Sequence, residues 1–209
     1  MEPITHLLYL HGFRSSPQSA KAVLTALWLQ SHAPHVHWWC PPLPASPQAA
    51  CQLIHTHTAH WPTHSMAIIG SSLGGFYASW LAQQRDCPAL LLNPAVSPAR
   101  DLARHIGAHP CWHDPTQQIY FEAEYVQELE QLASPTFHHP NKVLAVLGTD
   151  DEVLSFDEMH TRYKDCQLRI VQGGDHGLSH YAELLPEVMQ FLGLHAKACL
   201  GRNPTVAGP

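Results

Sequence analysis

The chain has 209 residues, of which 45% are hydrophobic and 13% are charged, and its formal net charge is −6. This composition excludes an intrinsically disordered chain, because such chains combine few apolar residues with a high net charge. It also argues against nucleic-acid binding, since the 11 lysines and arginines form no basic cluster and phosphate recognition needs a concentrated positive field.

Short apolar runs alternate with helical patterns along the chain, which is typical of βαβ units and a parallel sheet. Roughly six strands are predicted, over residues 6–10, 36–40, 66–70, 89–93, 143–147 and 167–171. Helices are predicted over residues 15–32, 46–61, 73–85, 156–163 and 181–192. Several strands are apolar on both faces, so we expect helices on both sides of the sheet.

Residues 96–140 interrupt this alternation. The segment is too long for a simple crossover, and connections of this length usually carry a function or local structure of their own. Residues 124–132 within it have a helical pattern. We therefore predict one domain over residues 1–194, with residues 96–140 as a small cap insertion over the carboxyl edge of the sheet. An irregular tail is predicted at residues 195–209.

The strongest local pattern lies between the third predicted strand and the helix that follows it. Residues 70–74 fit the Gly-x-Ser-x-Gly pattern of a nucleophile elbow, in which a serine occupies a sharp strand-to-helix turn. The positions two before and two after the serine must be very small, because they come close together. We expect Ser72 to be the nucleophile. Ser71 is the alternative, although it has no glycine two residues before it.

A carboxylate should follow the nucleophile along the chain. A serine hydroxyl needs a base within hydrogen-bond reach, and in α/β-hydrolases an acid and then a histidine follow the serine in sequence. Three acids follow the strand at residues 143–147, and the pattern Gly-x-x-Asp-x-Val favours Asp151. Asp150 could instead cap the following turn, and Glu152 could be solvated.

The base is expected in the loop after the last strand. The chain has 18 histidines, so the presence of one carries little weight and its position must decide. His176 follows two glycines at the end of the strand at residues 167–171, whereas the alternative, His180, lies at the start of the final helix. In this interpretation His176 accepts the proton of Ser72, and Asp151 fixes the tautomer of the imidazole.

Acyl transfer builds negative charge on a carbonyl oxygen, and two backbone N–H groups usually stabilise it. One donor should be the N–H of Leu73, the residue after the nucleophile. The other should be the N–H of Phe13, in the loop after the first strand. Arg14, the next residue, could contact an anionic part of a substrate or be a surface charge.

These motifs occur together with others in one order: residues 9–13, 15–17, 70–78, 92–96, 151–154 and 173–176. In this combination, over residues 4–192, the chain resembles the YqiA-type bacterial esterases of the α/β-hydrolase superfamily. The resemblance implies an α/β-hydrolase fold and a small cytoplasmic esterase that acts on acyl esters or on acyl-CoA thioesters. It also implies that the nucleophile, acid and base are Ser72, Asp151 and His176.

The alternative hypothesis is a catalytically silent hydrolase-fold protein that binds a ligand or a metal. Imidazole and thiolate groups would suit zinc, copper or nickel, but their spacings match no closed zinc pattern. The candidate ligands fall into two groups, His57, His60 and His64, and His105, His109, Cys111 and His113. We expect no resident metal and no cofactor.

The location and partners are predicted from what the sequence lacks. No run of about 18 apolar residues occurs, so no membrane span is expected. The sequence from residues 1–3 onward lacks the basic region and the long apolar region of a signal peptide, so we expect none. The six cysteines form no Cys-x-x-Cys pair. We expect a cytoplasmic protein with reduced thiols. Its expected partner is a small acyl ester substrate, without nucleic acid or membrane, and the sequence leaves the oligomeric state open.

Overall fold

A computed structural model describes residues 2–132 and 136–195 of the chain. The strands of the described part are β1 (His6–Leu10), β2 (His37–Trp39), β3 (Met66–Ser71), β4 (Ala89–Leu92), β5 (Gly107–Pro110), β6 (Gln118–Phe121), β7 (Val143–Gly148) and β8 (Gln167–Val171). Six of them form one sheet in the order β2-β1-β3-β4-β7-β8, and each neighbouring pair is parallel. The predicted sheet is therefore confirmed.

The helices of the described part are α1 (Ala20–His32), α2 (Pro47–Thr58), α3 (Leu73–Arg85), α4 (Pro98–Leu102), α5 (Glu124–Leu132), α6 (Phe156–Tyr163) and α7 (Tyr181–Phe191). Successive side chains of a strand point to opposite faces. In β1, Leu8 and Leu10 join a core with α2, α3 and α6, whereas Leu7 and Tyr9 join a core with α1 and α7. Helices thus cover both faces, as the apolar strands predict.

The first helix begins later than its Ser-Pro signal indicates. The Ser16 hydroxyl accepts a hydrogen bond from the Gln18 N–H at 3.1 Å, so this serine closes a turn, and α1 begins only at Ala20. The same signal at Ser46 is correct, because its hydroxyl accepts from the Ala49 N–H at 3.1 Å and α2 begins at the next residue.

Between β4 and β7 the chain forms α4, an antiparallel hairpin of β5 and β6, and α5. The helix predicted at residues 124–132 is present with those bounds. The hairpin was not predicted, because its strands have four residues each and are only partly buried. Phe121, at the end of β6, is fully buried and anchors the hairpin in the core formed with α2, α3 and α6.

All six parallel strands end at the same edge of the sheet, so the loops that follow them gather there. The loops after β1, β3, β7 and β8 carry the predicted site residues. Among the described residues, no helix has both the length and the hydropathy that a bilayer span requires. Apart from His195, the predicted tail lies outside the described residues.

The start of α3 packs unusually close to the sheet. A Cβ atom at Gly74 would overlap the carbonyl oxygen of Leu10, and one at Gly70 would overlap the carbonyl oxygen of Gly74. Backbone atoms cannot move away as a flexible side chain can. These two glycines therefore allow the contact between α3, β1 and β3 that forms the sharp turn at Ser72.

We expect Gly74→Ala to lower the free energy of unfolding by about 3 kcal/mol or more, because overpacking against backbone cannot relax locally. Urea denaturation measures the change. Gly177→Ala is the matched control: its Cβ would meet the Asp175 carboxylate at 3.3 Å, an atom that can shift, so a loss below about 1 kcal/mol is expected. Equal losses in the two variants would contradict the proposed packing.

Candidate active site

Ser72 occupies a strained turn between β3 and α3. Its backbone has φ 55° and ψ −122°, in the region that side chains other than glycine rarely adopt. The Ser72 N–H donates to the Leu92 carbonyl at 3.0 Å, and the Ser72 carbonyl accepts from the N–H groups of Gly75 at 2.9 Å and Ala95 at 3.0 Å. Three backbone hydrogen bonds, with Leu92, Gly75 and Ala95, therefore hold Ser72 in this conformation.

The structure brings three of the predicted residues together. His176 Nε2 lies 3.1 Å from Ser72 Oγ, and His176 Nδ1 lies 2.8 Å from Asp151 Oδ2. The Asp151 side chain is fully buried and that of His176 is 21% exposed. These contacts suit a neutral imidazole whose Nδ1–H donates to the carboxylate while Nε2 accepts from the serine hydroxyl. This is the geometry that activation of a serine by a histidine requires.

The loop after β7 fixes the carboxylate of Asp151. Its Oδ1 accepts hydrogen bonds from the N–H groups of Val153 at 2.8 Å and Leu154 at 2.7 Å, which leaves Oδ2 for the imidazole. Asp150 is exposed and accepts instead from the Thr149 hydroxyl at 3.0 Å. Of these two acids, Asp151 is the one that contacts His176.

The third acid of this loop, Glu152, has a supporting contact. Its Oε2 accepts a hydrogen bond from the backbone N–H of His176 at 3.0 Å. The neighbouring Asp175 accepts from the N–H and the hydroxyl of Ser179, which lowers the pKa of its carboxyl. His180 lies just before α7 with its Nδ1 3.5 Å from Glu183 Oε1, whereas the histidine on Ser72 Oγ is His176. Asp175 and Glu152 thus order the loop that presents His176.

Sequence reasoning did not identify Asn93, which links the acid loop to the histidine loop. Its side chain is fully buried at the end of β4, and its Nδ2 donates to the carbonyls of Asp175 at 2.9 Å and His176 at 3.2 Å. Its Oδ1 accepts from the Gly148 N–H at 2.8 Å. The available signal was a polar residue directly after a fully apolar strand and before Pro94.

The two predicted oxyanion donors line the same cavity as Ser72. Within the described part of the chain, the N–H groups of Phe13 and Leu73 donate to no acceptor. The Phe13 loop is supported by His11, whose Nδ1–H donates to the Gly12 carbonyl at 3.0 Å and whose Nε2 accepts from the Leu43 N–H at 3.2 Å. Burial holds the pKa of His11 below its usual range, so this imidazole stays neutral.

Two cavities open on Ser72 and His176. One has a volume of about 340 Å³ and a mainly apolar wall that includes Leu102 and Leu154, with Arg14 and Arg104 also in its lining. The other has a volume of about 260 Å³ and a wall rich in hydroxyl groups. Ser72 and His176 line both, so the two cavities meet at this pair of side chains.

The hairpin of β5 and β6 reaches the site through Arg14. The guanidinium donates from Nε to the Pro110 carbonyl at 2.8 Å and lies 4.1 Å from the centre of the Trp112 ring. The backbone N–H of Trp112 donates to the Arg14 carbonyl at 2.9 Å. Because the Trp112 side chain lines both cavities, the inserted segment supplies part of the wall around Ser72.

A cavity of about 400 Å³ lies elsewhere, between α2, α3 and α5, and neither Ser72 nor His176 lines it. Its one thiol, Cys51, is buried, which raises the pKa to about 12, so it offers no thiolate at neutral pH.

No group of three or more metal-binding side chains occurs among the described residues. His57 instead stacks on Trp39 at 3.7 Å between ring centres, and the ring of His109 packs edge-on against Phe13.

Most of the chain matches one known protein family. Residues 6–193 match the sequence model of the uncharacterised protein family UPF0227. The chain belongs to this family. UPF0227 is the YqiA family, so the relationship predicted from the motifs is confirmed.

Solved structures with the same architecture are distant in sequence. One is Est1E from Butyrivibrio proteoclasticus, in a structure with bound ferulic acid. It is 18% identical to this chain with a TM-score of 0.67, and the match covers 93% of this chain and 90% of the Est1E chain. Mouse alpha/beta hydrolase domain-containing protein 10 is 12% identical with a TM-score of 0.66 and covers 92% of each chain. The esterase domain of a Rhodothermus marinus protein is 18% identical with a TM-score of 0.59, over 91% of this chain and 88% of its own. The UPF0227 chain therefore has the α/β-hydrolase fold.

We expect Asn93→Ala to lower the free energy of unfolding by about 2–3 kcal/mol, because the buried Gly148 N–H would lose its acceptor. Chemical denaturation measures the loss. Asn141→Ala is the control: this side chain is exposed, and a change within about 0.5 kcal/mol is expected. If both variants were as stable as the wild type, Asn93 would not hold the two loops together.

Proposed function

We propose that this protein is a serine hydrolase that cleaves carboxylic esters, with Ser72 as nucleophile, His176 as base and Asp151 as orienting acid. The proposal depends chiefly on one observation, the continuous hydrogen-bonded path from Ser72 Oγ through the His176 imidazole to Asp151, with contacts of 3.1 and 2.8 Å. Similar solved structures include an esterase domain, which supports the same reaction class.

In the first half of the reaction, His176 Nε2 takes the hydroxyl proton as Ser72 Oγ attacks the ester carbonyl carbon. Asp151 stabilises the imidazolium that forms. Negative charge develops on the carbonyl oxygen and is accepted by the N–H groups of Phe13 and Leu73. One such donor is worth about 3–4 kcal/mol of transition-state stabilisation.

The tetrahedral intermediate then collapses. His176 returns the proton to the leaving oxygen, so the alcohol departs and the acyl group remains on Ser72 Oγ. A water molecule loses a proton to the same imidazole and attacks the acyl carbon. The second collapse protonates Ser72 and releases the carboxylic acid, which restores the starting state.

The mainly apolar cavity suits an apolar half of the ester, of moderate size. It has a volume of about 340 Å³ and is lined by Leu102, Val153 and Leu154 beside Ser72. Leu102 and Trp112 belong to the segment of residues 96–140, and we propose that this segment acts as a cap over the site. An acyl thioester would react through the same residues. Its leaving thiolate would need less protonation by His176 than an alkoxide does, because a thiolate is the better leaving group.

Ser72→Ala should lower kcat on p-nitrophenyl acyl esters by about four to six orders of magnitude, because the acyl-enzyme intermediate cannot form. The measurement uses esters from acetate to palmitate, and the chain length of highest kcat/KM sizes the cavity. Ser71→Ala is the comparison variant and should keep most of the activity. Equal activity of wild type and Ser72→Ala would exclude Ser72 as nucleophile. A wild type without turnover would favour the silent ligand-binding alternative.

Asp151→Asn should lower kcat by about four orders of magnitude, because the amide favours the wrong imidazole tautomer. Asp150→Asn, the adjacent exposed acid, should stay within a few-fold of the wild type. Steady-state kinetics at pH 7 with the best p-nitrophenyl ester measures both. The opposite order of the two effects would reassign the acid.

A further inference from the structure

The hydroxyl-rich cavity beside Ser72 has features that an uncharged substrate does not need. The first residues of α1 form one wall, with Ser19, Ala20 and Lys21, and Tyr9 of β1 lies beneath them. Ser72, His176 and Gly177 complete the opening toward the reactive hydroxyl. A group bound here would lie beside the hydroxyl that we propose as nucleophile.

Lys21 is a cation without an ion-pair partner in this cavity. Its Nζ donates to the Gly177 carbonyl at 2.7 Å, and no carboxylate of the described residues lies within 4.0 Å of it. Partial burial lowers the pKa of its ammonium, while the more distant Asp175 and Asp151 oppose that shift. An ammonium group has three donors, so two remain for a ligand.

The amino end of α1 points into the same space. No side chain caps this 13-residue helix, because the hydroxyl of Ser19 accepts no hydrogen bond from the first turn. The first N–H groups of a helix lack partners within it, and the helix dipole places partial positive charge at that end. Free N–H groups beside a cation favour an anion.

A separate observation concerns buried hydroxyl groups. Within the described part of the chain, Tyr9 Oη and Ser19 Oγ are buried and have no hydrogen-bond partner. Tyr9 is fully buried, and the hydroxyls of Ser71 and Ser19 both approach its Oη. Buried polar groups are normally satisfied, so this group of neighbouring hydroxyls leaves hydrogen-bonding capacity at the wall of the cavity.

We propose that this cavity binds a carboxylate carried by one half of the ester substrate, with Lys21 Nζ and the amino end of α1 as its donors. The inference rests on the proposed esterase function and narrows its substrate class to esters that are apolar on one side and anionic on the other. Lys21 is then a specificity-determining residue, and the mainly apolar cavity receives the other half of the ester.

Two ester pairs test the proposal. In 4-acetoxybenzoate and its methyl ester the charge is on the leaving group, whereas in 4-nitrophenyl hydrogen succinate and 4-nitrophenyl butyrate it is on the acyl group. We expect the wild type to favour the charged member of one pair, and that pair identifies the half which enters the cavity. Lys21→Met should lower the charged-to-neutral ratio of kcat/KM at least about tenfold for that pair.

The ratio separates recognition from structure. Loss of the bond to the Gly177 carbonyl would shift the loop of His176 and slow both members of a pair equally, which leaves the ratio unchanged. Lys21→Arg should keep most of the preference, and Lys164→Met, an exposed lysine at the end of α6, should keep all of it. An unchanged ratio in Lys21→Met for both pairs, with neutral esters still hydrolysed, would overturn the inference and leave the esterase proposal intact.

Binding without turnover provides a second readout. In the Ser72→Ala background, calorimetric titration should show that the charged ester of the preferred pair binds at least about tenfold more tightly than its neutral partner. The added change Lys21→Met should remove that difference. Equal affinities for charged and neutral esters would also overturn the inference, whatever the hydrolysis assays show.

Discussion

The close contact between the start of α3 and the sheet is the constraint on which the site depends. Gly70 and Gly74 leave no room for a Cβ atom, and only this contact allows the chain to turn from β3 into α3 within one residue. That turn forces Ser72 into φ 55°, and its hydroxyl lies 3.1 Å from His176 Nε2. The strain is sustained because β3 lies in the middle of the sheet, with neighbours on both sides.

His176 must also be held in a fixed position if its imidazole is to accept the proton of Ser72. Asn93 at the end of β4 bonds the carbonyls of the histidine loop and the Gly148 N–H at the end of β7. Glu152 adds a bond to the His176 N–H, and two amides fix the Asp151 carboxylate. The imidazole is therefore oriented by its neighbours, so little reorganisation would be needed in the reaction that we propose.

The two cavities beside Ser72 differ in the chemistry of their walls. On one side the inserted segment contributes Leu102 and Trp112 to a mainly apolar wall, and Arg14 ties that segment to the loop after β1. On the other side the turn at Ser16 delays the start of α1, which places the first helical N–H groups and Lys21 beside Ser72. The ester with unlike halves that we propose as substrate matches this asymmetry.

Local patterns in the sequence were enough to predict the parallel sheet, the elbow at Ser72 and the bounds of α3, α5, α6 and β8. Apolar runs, small residues two positions either side of a serine, and helical periodicity are properties of neighbouring residues, so they can be recognised without coordinates. The role of Asn93, the β5–β6 hairpin and the late start of α1 were decided only by tertiary structure. Asn93 bonds residues 82 and 83 positions away, and Lys21 contacts a carbonyl 156 positions away. Such contacts depend on where the packed sheet brings the loops together, and no local pattern encodes that distance.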